Sequence, residues 1–249
     1  MADRVVGVIP ARWGSTRLPG KSLVSICGKP LVQWVVESAR RAERLERLLV
    51  ATDDERIADV VKGLGVEAVM TRRDHPSGTD RVAEAVRGIE AAVVVNIQGD
   101  EPLIDPGLID RLADRMLTET SWDMATAAAR IKSEADLHNP SVVKVVWDSE
   151  GRALYFSRSV IPHVRDREPG YSVAHWGHVG IYAYRREFLA RLVATPPSDL
   201  ERAEKLEQLR ALHIGARMAV LPGEESGMGV DTPEDVQYLE RVIRERQGM

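Results

Sequence analysis

Short runs of β-branched and aliphatic residues alternate along this chain with amphipathic segments of helical length, and that alternation limits the fold more than any other feature. The runs Val5–Pro10, Leu48–Thr52, Glu67–Thr71, Val93–Gln98 and Met124–Ala129 read as strands. Val93-Val94-Val95 is apolar on consecutive residues, the pattern of a strand covered on both faces. Between them, Leu31 to Glu43, Glu55 to Leu64, Thr79 to Ile89 and Pro106 to Leu117 carry helical spacing. In the first of these, Leu31, Val35, Ser38 and Ala39 share a face while Arg40 and Arg41 turn outward. Such alternation predicts an α/β fold with a mostly parallel sheet flanked by helices.

The pattern changes near residue 130. Val142–Asp148 and Ala153–Arg158 read as strands joined by the hairpin turn Ser149-Glu150-Gly151. A loop containing Pro162, Pro169 and Gly170 leads to a further strand, His178 to Arg185. A helix over Asp199 to Leu212, a strand over Met218 to Leu221 and a terminal helix from Pro233 complete the chain. The expected organisation is one domain over residues 1–249, with a smaller antiparallel lobe inserted at about 130–186.

Composition narrows the function. A chain of 249 residues with 44% hydrophobic residues buries a core without staples. A formal net charge of −4, with no basic stripe interleaved with aromatics, argues against nucleic acid as a partner. The single cysteine, Cys27, allows neither an intramolecular disulfide nor a cysteine metal cage, and reads as a small buried hydrophobe. The apolar run from Val5 is too short for a secretory core, and no stretch approaches the roughly 20 apolar residues of a membrane helix. A cytoplasmic protein without a membrane partner is expected.

The stretch richest in chemistry runs from Pro10 to Lys21, directly after the first strand, where open parallel sheets bind ligands. It holds two glycines, two hydroxyls and three cations in twelve residues. Glycines let backbone amides approach an anion, while Arg and Lys neutralise phosphate charge. It is no P-loop: Gly14 and Gly20-Lys21-Ser22 enclose five residues where that motif has four, and a turn, Gly28-Lys29-Pro30, intervenes before the next helix. The dinucleotide-like spacing at Gly63-Leu64-Gly65 lies between a helix and a strand, the wrong order for pyrophosphate at a helix start.

Pro10-Ala11-Arg12, Ser15-Thr16-Arg17-Leu18-Pro19-Gly20-Lys21, Asn96-Ile97-Gln98-Gly99-Asp100-Glu101-Pro102 and Gly229-Val230-Asp231-Thr232-Pro233-Glu234-Asp235 together resemble the sugar cytidylyltransferases. Met70-Thr71-Arg72, Ser77-Gly78-Thr79, Leu154-Tyr155-Phe156-Ser157-Arg158 and Leu206-Glu207-Gln208-Leu209 extend the likeness from residue 5 to 240, within the group acting on 3-deoxy-manno-octulosonate (KDO). The resemblance implies a Rossmann-like nucleotide-diphospho-sugar transferase fold, CTP and KDO as partners, Mg2+ as cofactor, and a homodimer built through the second lobe. It assigns the nucleotide to Ala11, Arg12, Ser15, Arg17, Lys21, Arg72, Ser77 and Gln98, and catalysis to Arg12, Lys21, Asp100 and Asp231.

The metal ligands it implies are Asp100 and Asp231; the sugar residues are Gln98, His178, Tyr182, Glu207 and Gln208. Read without it, Asp100 fits a turn residue, and Asp231 fits the capping turn in which Thr232 is N-cap and Pro233 opens the helix. Thr79 likewise reads as the N-cap of the helix that follows it. His178, Gly180, Tyr182 and Tyr184 share one strand face, which suits either sugar or solvent. His75 lies in the same loop as Arg72 and Ser77. An 8-amino derivative of KDO, another acidic sugar, or a catalytically silent nucleotide-binding protein are the competing readings.

Overall fold

The computed structural model describes residues 4–15, 17–166, 172–223 and 227–247. Thr16 of the first loop and the Pro169-Gly170 turn lie outside the described residues. The strands are β1 (Val5–Ala11), β2 (Ser25–Ile26), β3 (Lys29–Pro30), β4 (Arg47–Thr52), β5 (Glu67–Met70), β6 (Val93–Asn96), β7 (Met124–Arg130), β8 (Lys144–Trp147), β9 (Ala153–Ser157), β10 (Trp176–Arg185) and β11 (Met218–Gly223). The helices are α1 (Leu31–Ala39), α2 (Glu55–Gly63), α3 (Gly78–Ala85), α4 (Pro106–Thr118), α5 (Glu134–His138), α6 (Arg186–Ala194), α7 (Asp199–Glu204), α8 (Gln208–His213) and α9 (Pro233–Gln247).

The main sheet has the order β11-β7-β10-β6-β1-β4-β5, with β8 pairing β10 and β9 pairing β8. β1 pairs parallel with β4 and β6, β4 with β5, and β11 with β7. β10 is the exception: it runs antiparallel between β6 and β7, and its Gly177 also meets Lys144 of β8. The strand expected in the second lobe is thereby also an interior strand of the main sheet. One face of the sheet packs against α1, α2 and α4 through Val35, Val61, Leu112 and their neighbours. The other packs α3, α6 and α8 through Val82, Leu189 and Leu209.

Several boundaries depart from expectation for identifiable reasons. β6 ends at Asn96 rather than Gln98, because its neighbour Pro10 has no N–H to carry the ladder further. The helix expected over Asp199–Leu212 is broken in two: Lys205 sits in the left-handed region (φ 54°), and Leu206 is buried in the step between α7 and α8. Ser77, not Thr79, caps α3; its Oγ accepts from the Asp80 N–H at 3.2 Å, while Thr79 is buried within the first turn. Cys27 is half-buried rather than buried, at the tip of the β2–β3 turn with φ 47°, beside Gly28 at φ 79°. α5 and α6 were not anticipated, and α6 follows β10 with no capping side chain to announce it.

Candidate active site

The C-terminal ends of β1 and β6 open onto a cavity of about 270 Å³. Pro10, Arg12, Ser15, Arg17, Lys21, His75, Ser77, Gly78, Arg81, Gln98, Gly99, Asp100 and Asp231 line it. The first loop leaves β1 after Ala11, which is buried and serves as the loop's anchor rather than its lining. Asp53, just beyond β4, accepts the Trp13 N–H at 3.1 Å and holds the loop from below. The loop then closes on itself, with the Ser15 and Gly20 N–H groups both donating to the Trp13 carbonyl. Gly20 has φ 67° and a Cβ there would lie 2.9 Å from the Trp13 ring, so both space and conformation require glycine. That turn delivers Lys21 into the cavity.

Gly99 sets the opposite wall. Its Cα passes so close to β1 that a Cβ would sit 2.4 Å from the Pro10 carbonyl oxygen. The chain beyond β6 can therefore cross the end of β1 and place Asp100 beside Lys21. Val230 donates its N–H to the Asp100 carbonyl at 2.9 Å, which ties the segment before α9 to the same point. Asp235 accepts the N–H groups of Asp231 and Thr232 and receives Thr232 Oγ1 at its own N–H, so Thr232 caps α9 as expected. Asp231 stands just outside that cap, its own carboxylate unused by it.

The resulting cluster is compact. Lys21 Nζ lies 2.7 Å from Asp100 Oδ2 and 2.8 Å from Asp231 Oδ1, and Arg17 lies 2.9 Å from Asp231 Oδ2. The side chains of Lys21, Asp100 and Asp231 are 16%, 30% and 36% exposed, open enough for phosphate oxygens and water. Two hard oxygen donors facing one point, with solvent access, fit Mg2+, which binds through one or two carboxylates plus phosphates and waters.

A second group lies beyond Gln98, on the β10 face. His178 and Tyr182 rings are 5.4 Å apart, and Tyr182 stacks on Tyr184 at 5.8 Å. A Cβ at Gly180 would be 3.7 Å from Gln98 Cγ, so Gln98 joins this face to the nucleotide-sized cavity. Thr126 spends its one hydroxyl proton on the Ile181 carbonyl at 2.7 Å, so the ring Nε2–H of His178 donates to Thr126 Oγ1 at 2.9 Å. Burial pushes the His178 imidazole down to about 3, leaving it neutral. Burial, with the charges of Glu207 and Glu101 nearby, pushes the Tyr182 hydroxyl up. Gln208 is buried beside Glu207 at the start of α8.

Arg72 stands apart. It is largely exposed, pairs with Asp74 and Glu84, and lines a neighbouring groove between α3 and α6 rather than the cavity. Four further residues belong to the site without having been singled out for it. Asp53 and Arg81 form a buried ion pair at 3.0 Å under the first loop. Glu84 holds His75, and Glu101 is buried between Gly180 and Gly227, its carboxyl pushed up to about 7 by burial and by Asp100. Glu101's place beside Asp100 was a usable signal; the Asp53–Arg81 pair joins residues with no common motif.

Known proteins share the sequence and the fold of this chain. The family profile described as Cytidylyltransferase matches residues 6–219. The 3-deoxy-manno-octulosonate cytidylyltransferase of Trichlorobacter lovleyi is 47% identical, over 97% of this chain and 99% of its own. That of Syntrophobacter fumaroxidans is 50% identical, over 96% and 97%. A solved CMP:2-keto-3-deoxy-manno-octonic acid synthetase complexed with CTP superposes with a TM-score of 0.92 at 42% identity, covering 98% of this chain and 99% of that one. The 4-diphosphocytidyl-2C-methyl-D-erythritol synthase of Anaerococcus prevotii shares the fold at a TM-score of 0.65 and 11% identity. With the cavity, its cation–carboxylate cluster and the likeness of nearly the whole chain in agreement, the chain belongs to the cytidylyltransferase family.

Proposed function

We propose that this protein transfers a cytidylyl group from CTP to the anomeric hydroxyl of KDO, giving CMP-KDO and pyrophosphate for lipopolysaccharide assembly. The observation that carries the reading is Lys21 bridging Asp100 and Asp231 at the mouth of β1, with Arg12 and Arg17 lining the same cavity. The anomeric oxygen attacks the α-phosphorus, the bond from that phosphorus to the bridging oxygen of the β-phosphate breaks, and the hydroxyl proton is lost to solvent. Such a step needs positioning and charge neutralisation more than a covalent catalyst. Arg12, Arg17 and Lys21 supply positive charge to the triphosphate and to the departing pyrophosphate, and Ser15 and Ser77 supply hydroxyls to the same cavity.

Asp100 and Asp231 are the residues that would hold Mg2+, which when bound neutralises phosphate charge and lowers the cost of deprotonating the sugar hydroxyl. Gln98, His178, Tyr182, Glu207 and Gln208 are assigned to the sugar, an assignment supported by the Gln98–Gly180 contact between the cavity and the β10 face. His178 held neutral, and Tyr182 held protonated, present a fixed pattern of polar atoms there. The reading includes a cytoplasmic homodimer built through the lobe at residues 130–186, where Leu154 of β9 is exposed. No described helix is long and apolar enough to cross a membrane.

The test is pyrophosphate release with CTP, Mg2+ and KDO, run beside CTP with N-acetylneuraminate and UTP with KDO. Release in the first mixture alone supports base, sugar and reaction together. Release with the 8-amino sugar in place of KDO, and not with KDO, would move the assignment to that substrate. Sedimentation of the same preparation checks the dimer.

A further inference from the structure

His75 stands in the wall between the nucleotide cavity and the α3–α6 groove and lines both. Its side chain is 4% exposed. Its Nε2 is held by Glu84, which lines the groove. Its Nδ1 is buried with no hydrogen-bond partner. A buried polar atom left unpaired is rare enough in a folded protein to need a reason, and a ligand in the cavity the ring already lines is one.

The neighbours decide what kind of partner Nδ1 can take. Burial pushes the Glu84 carboxyl up, but its contacts with His75 and Arg72 outweigh that and hold it below its ordinary value. An ionised carboxylate can only accept, so Nε2 of His75 turns its N–H toward Glu84, the tautomer in which Nδ1 is an acceptor. Arg12, Arg17, Lys21 and Arg81 line the same cavity. Lys21, Arg17, Asp100 and Asp231 claim the phosphate end, while Pro10, Pro76 and Gly78 give uncharged surface near His75 where a base fits.

We propose that His75 reads the nucleobase, its Nδ1 accepting a hydrogen bond from the exocyclic amino group that cytosine carries and that uracil replaces with a carbonyl. The inference rests on the nucleotide reading above and adds to it the residue that separates CTP from UTP. With uracil, the carbonyl oxygen meets the Nδ1 lone pair and two acceptors oppose each other, which is how a polar site rejects a near-isostere. Glu84 is a positioning residue: it fixes the tautomer without touching the base.

Three variants test this: His75→Asn, His75→Gln and Glu84→Gln, each checked for a native circular dichroism spectrum. CTP and UTP binding are measured by calorimetry without sugar, and kcat and KM with it. Glutamine replaces the Nε2 contact to Glu84 but puts no acceptor at Nδ1, so His75→Gln loses about tenfold of the preference for CTP, through KM rather than kcat. Asparagine places its amide oxygen near the position of Nδ1, so His75→Asn keeps most of the preference. Glu84→Gln lets an amide donate to Nε2, which turns Nδ1 into a donor and erodes the preference although His75 is intact. Equal weakening of both nucleotides in His75→Gln and Glu84→Gln, or an unchanged ratio, would overturn the proposal. A wild-type protein that prefers CTP in calorimetry yet releases no pyrophosphate would sink the functional reading and leave this one standing.

Discussion

Lys21 Nζ lies 2.8 Å from Asp231 Oδ1 across 210 residues of sequence. The same ammonium lies 2.7 Å from Asp100, so one cation bridges two carboxylates delivered by separate segments of the fold. Each arrives by its own device: the Gly20 turn for Lys21, the close crossing at Gly99 for Asp100, and the capped start of α9 for Asp231. A site assembled this way has its acids preset at one point before any substrate enters, which is the preorganisation that charge stabilisation requires.

Asp231→Ala removes one of the two carboxylates assigned to the metal while leaving the α9 cap, made by Thr232 and Asp235, in place. The expected result is a loss of Mg2+-dependent pyrophosphate release of about a hundredfold or more, by analogy with the loss of one preorganised charge-stabilising group. The melting temperature should stay close to that of the wild type. Near-normal turnover would refute the metal role of Asp231.

Asp53→Ala acts on stability and on nucleotide binding together. The Asp53 and Arg81 side chains are 9% and 3% exposed, and among the described residues removing the carboxylate leaves the buried guanidinium its Thr71 contact. Breaking such a pair costs about 3–5 kcal/mol, and the first loop also loses its anchor at the Trp13 N–H. Denaturant unfolding should show the loss, and KM for CTP should rise. If Arg81→Met added to Asp53→Ala recovers none of the stability, the unpaired charge is not the cause.

The sequence carried the sheet and most of the site for a physical reason: both are written in local patterns. Val93-Val94-Val95 marks a doubly covered strand wherever it lies, and the cations and glycines from Arg12 to Lys21 sit on one loop. What local pattern cannot express was missed. β10 enters the main sheet antiparallel because β6 and β7 leave a gap for it, a fact about pairing partners rather than about its own residues. Arg72 is adjacent to Thr71 and close to Ser77 in sequence, yet turns to Glu84 on the far side of His75. The charge of Glu207 is felt at Tyr182 across the break at Lys205, and a lysine there gives no sign of a left-handed residue.

The neutral state of His178 predicts a pH effect with a definite sign. Its imidazole is pushed from 6.5 to about 3 by burial, so the unfolded chain takes up a proton below 6.5 that the native protein refuses. The unfolded state then binds more protons, and stability falls as pH drops from 6.5 toward 3, by up to about 1.4 kcal/mol per pH unit from this group alone. Above 6.5 both states are neutral and the group has no effect. Carboxylates contribute their own slope at low pH, so the comparison is with His178→Asn, whose stability should fall less steeply between pH 6.5 and 4.5. Parallel curves for the two proteins would show that the histidine protonates in the native state.

Lys205→Gly should stabilise the protein. Lys205 holds φ 54° and ψ 47° at the end of α7, a conformation that crowds any Cβ and costs an L residue roughly 1 kcal/mol. Its side chain is exposed, and the Arg158 contact at this position is to its carbonyl, which glycine keeps. The gain is offset in part by the greater freedom of glycine in the unfolded chain, so a net rise of about 0.5 kcal/mol, or 1–2 °C in melting temperature, is expected. Turnover should be unchanged, because the step between α7 and α8 that brings Glu207 toward Tyr182 is kept. Lys205→Val tests the same geometry in the other direction: a β-branched side chain at positive φ should lower the melting temperature, and by displacing Glu207 it should raise KM for the sugar while leaving KM for CTP alone. A Lys205→Val protein as stable as the wild type would mean that the break between the two helices lies elsewhere.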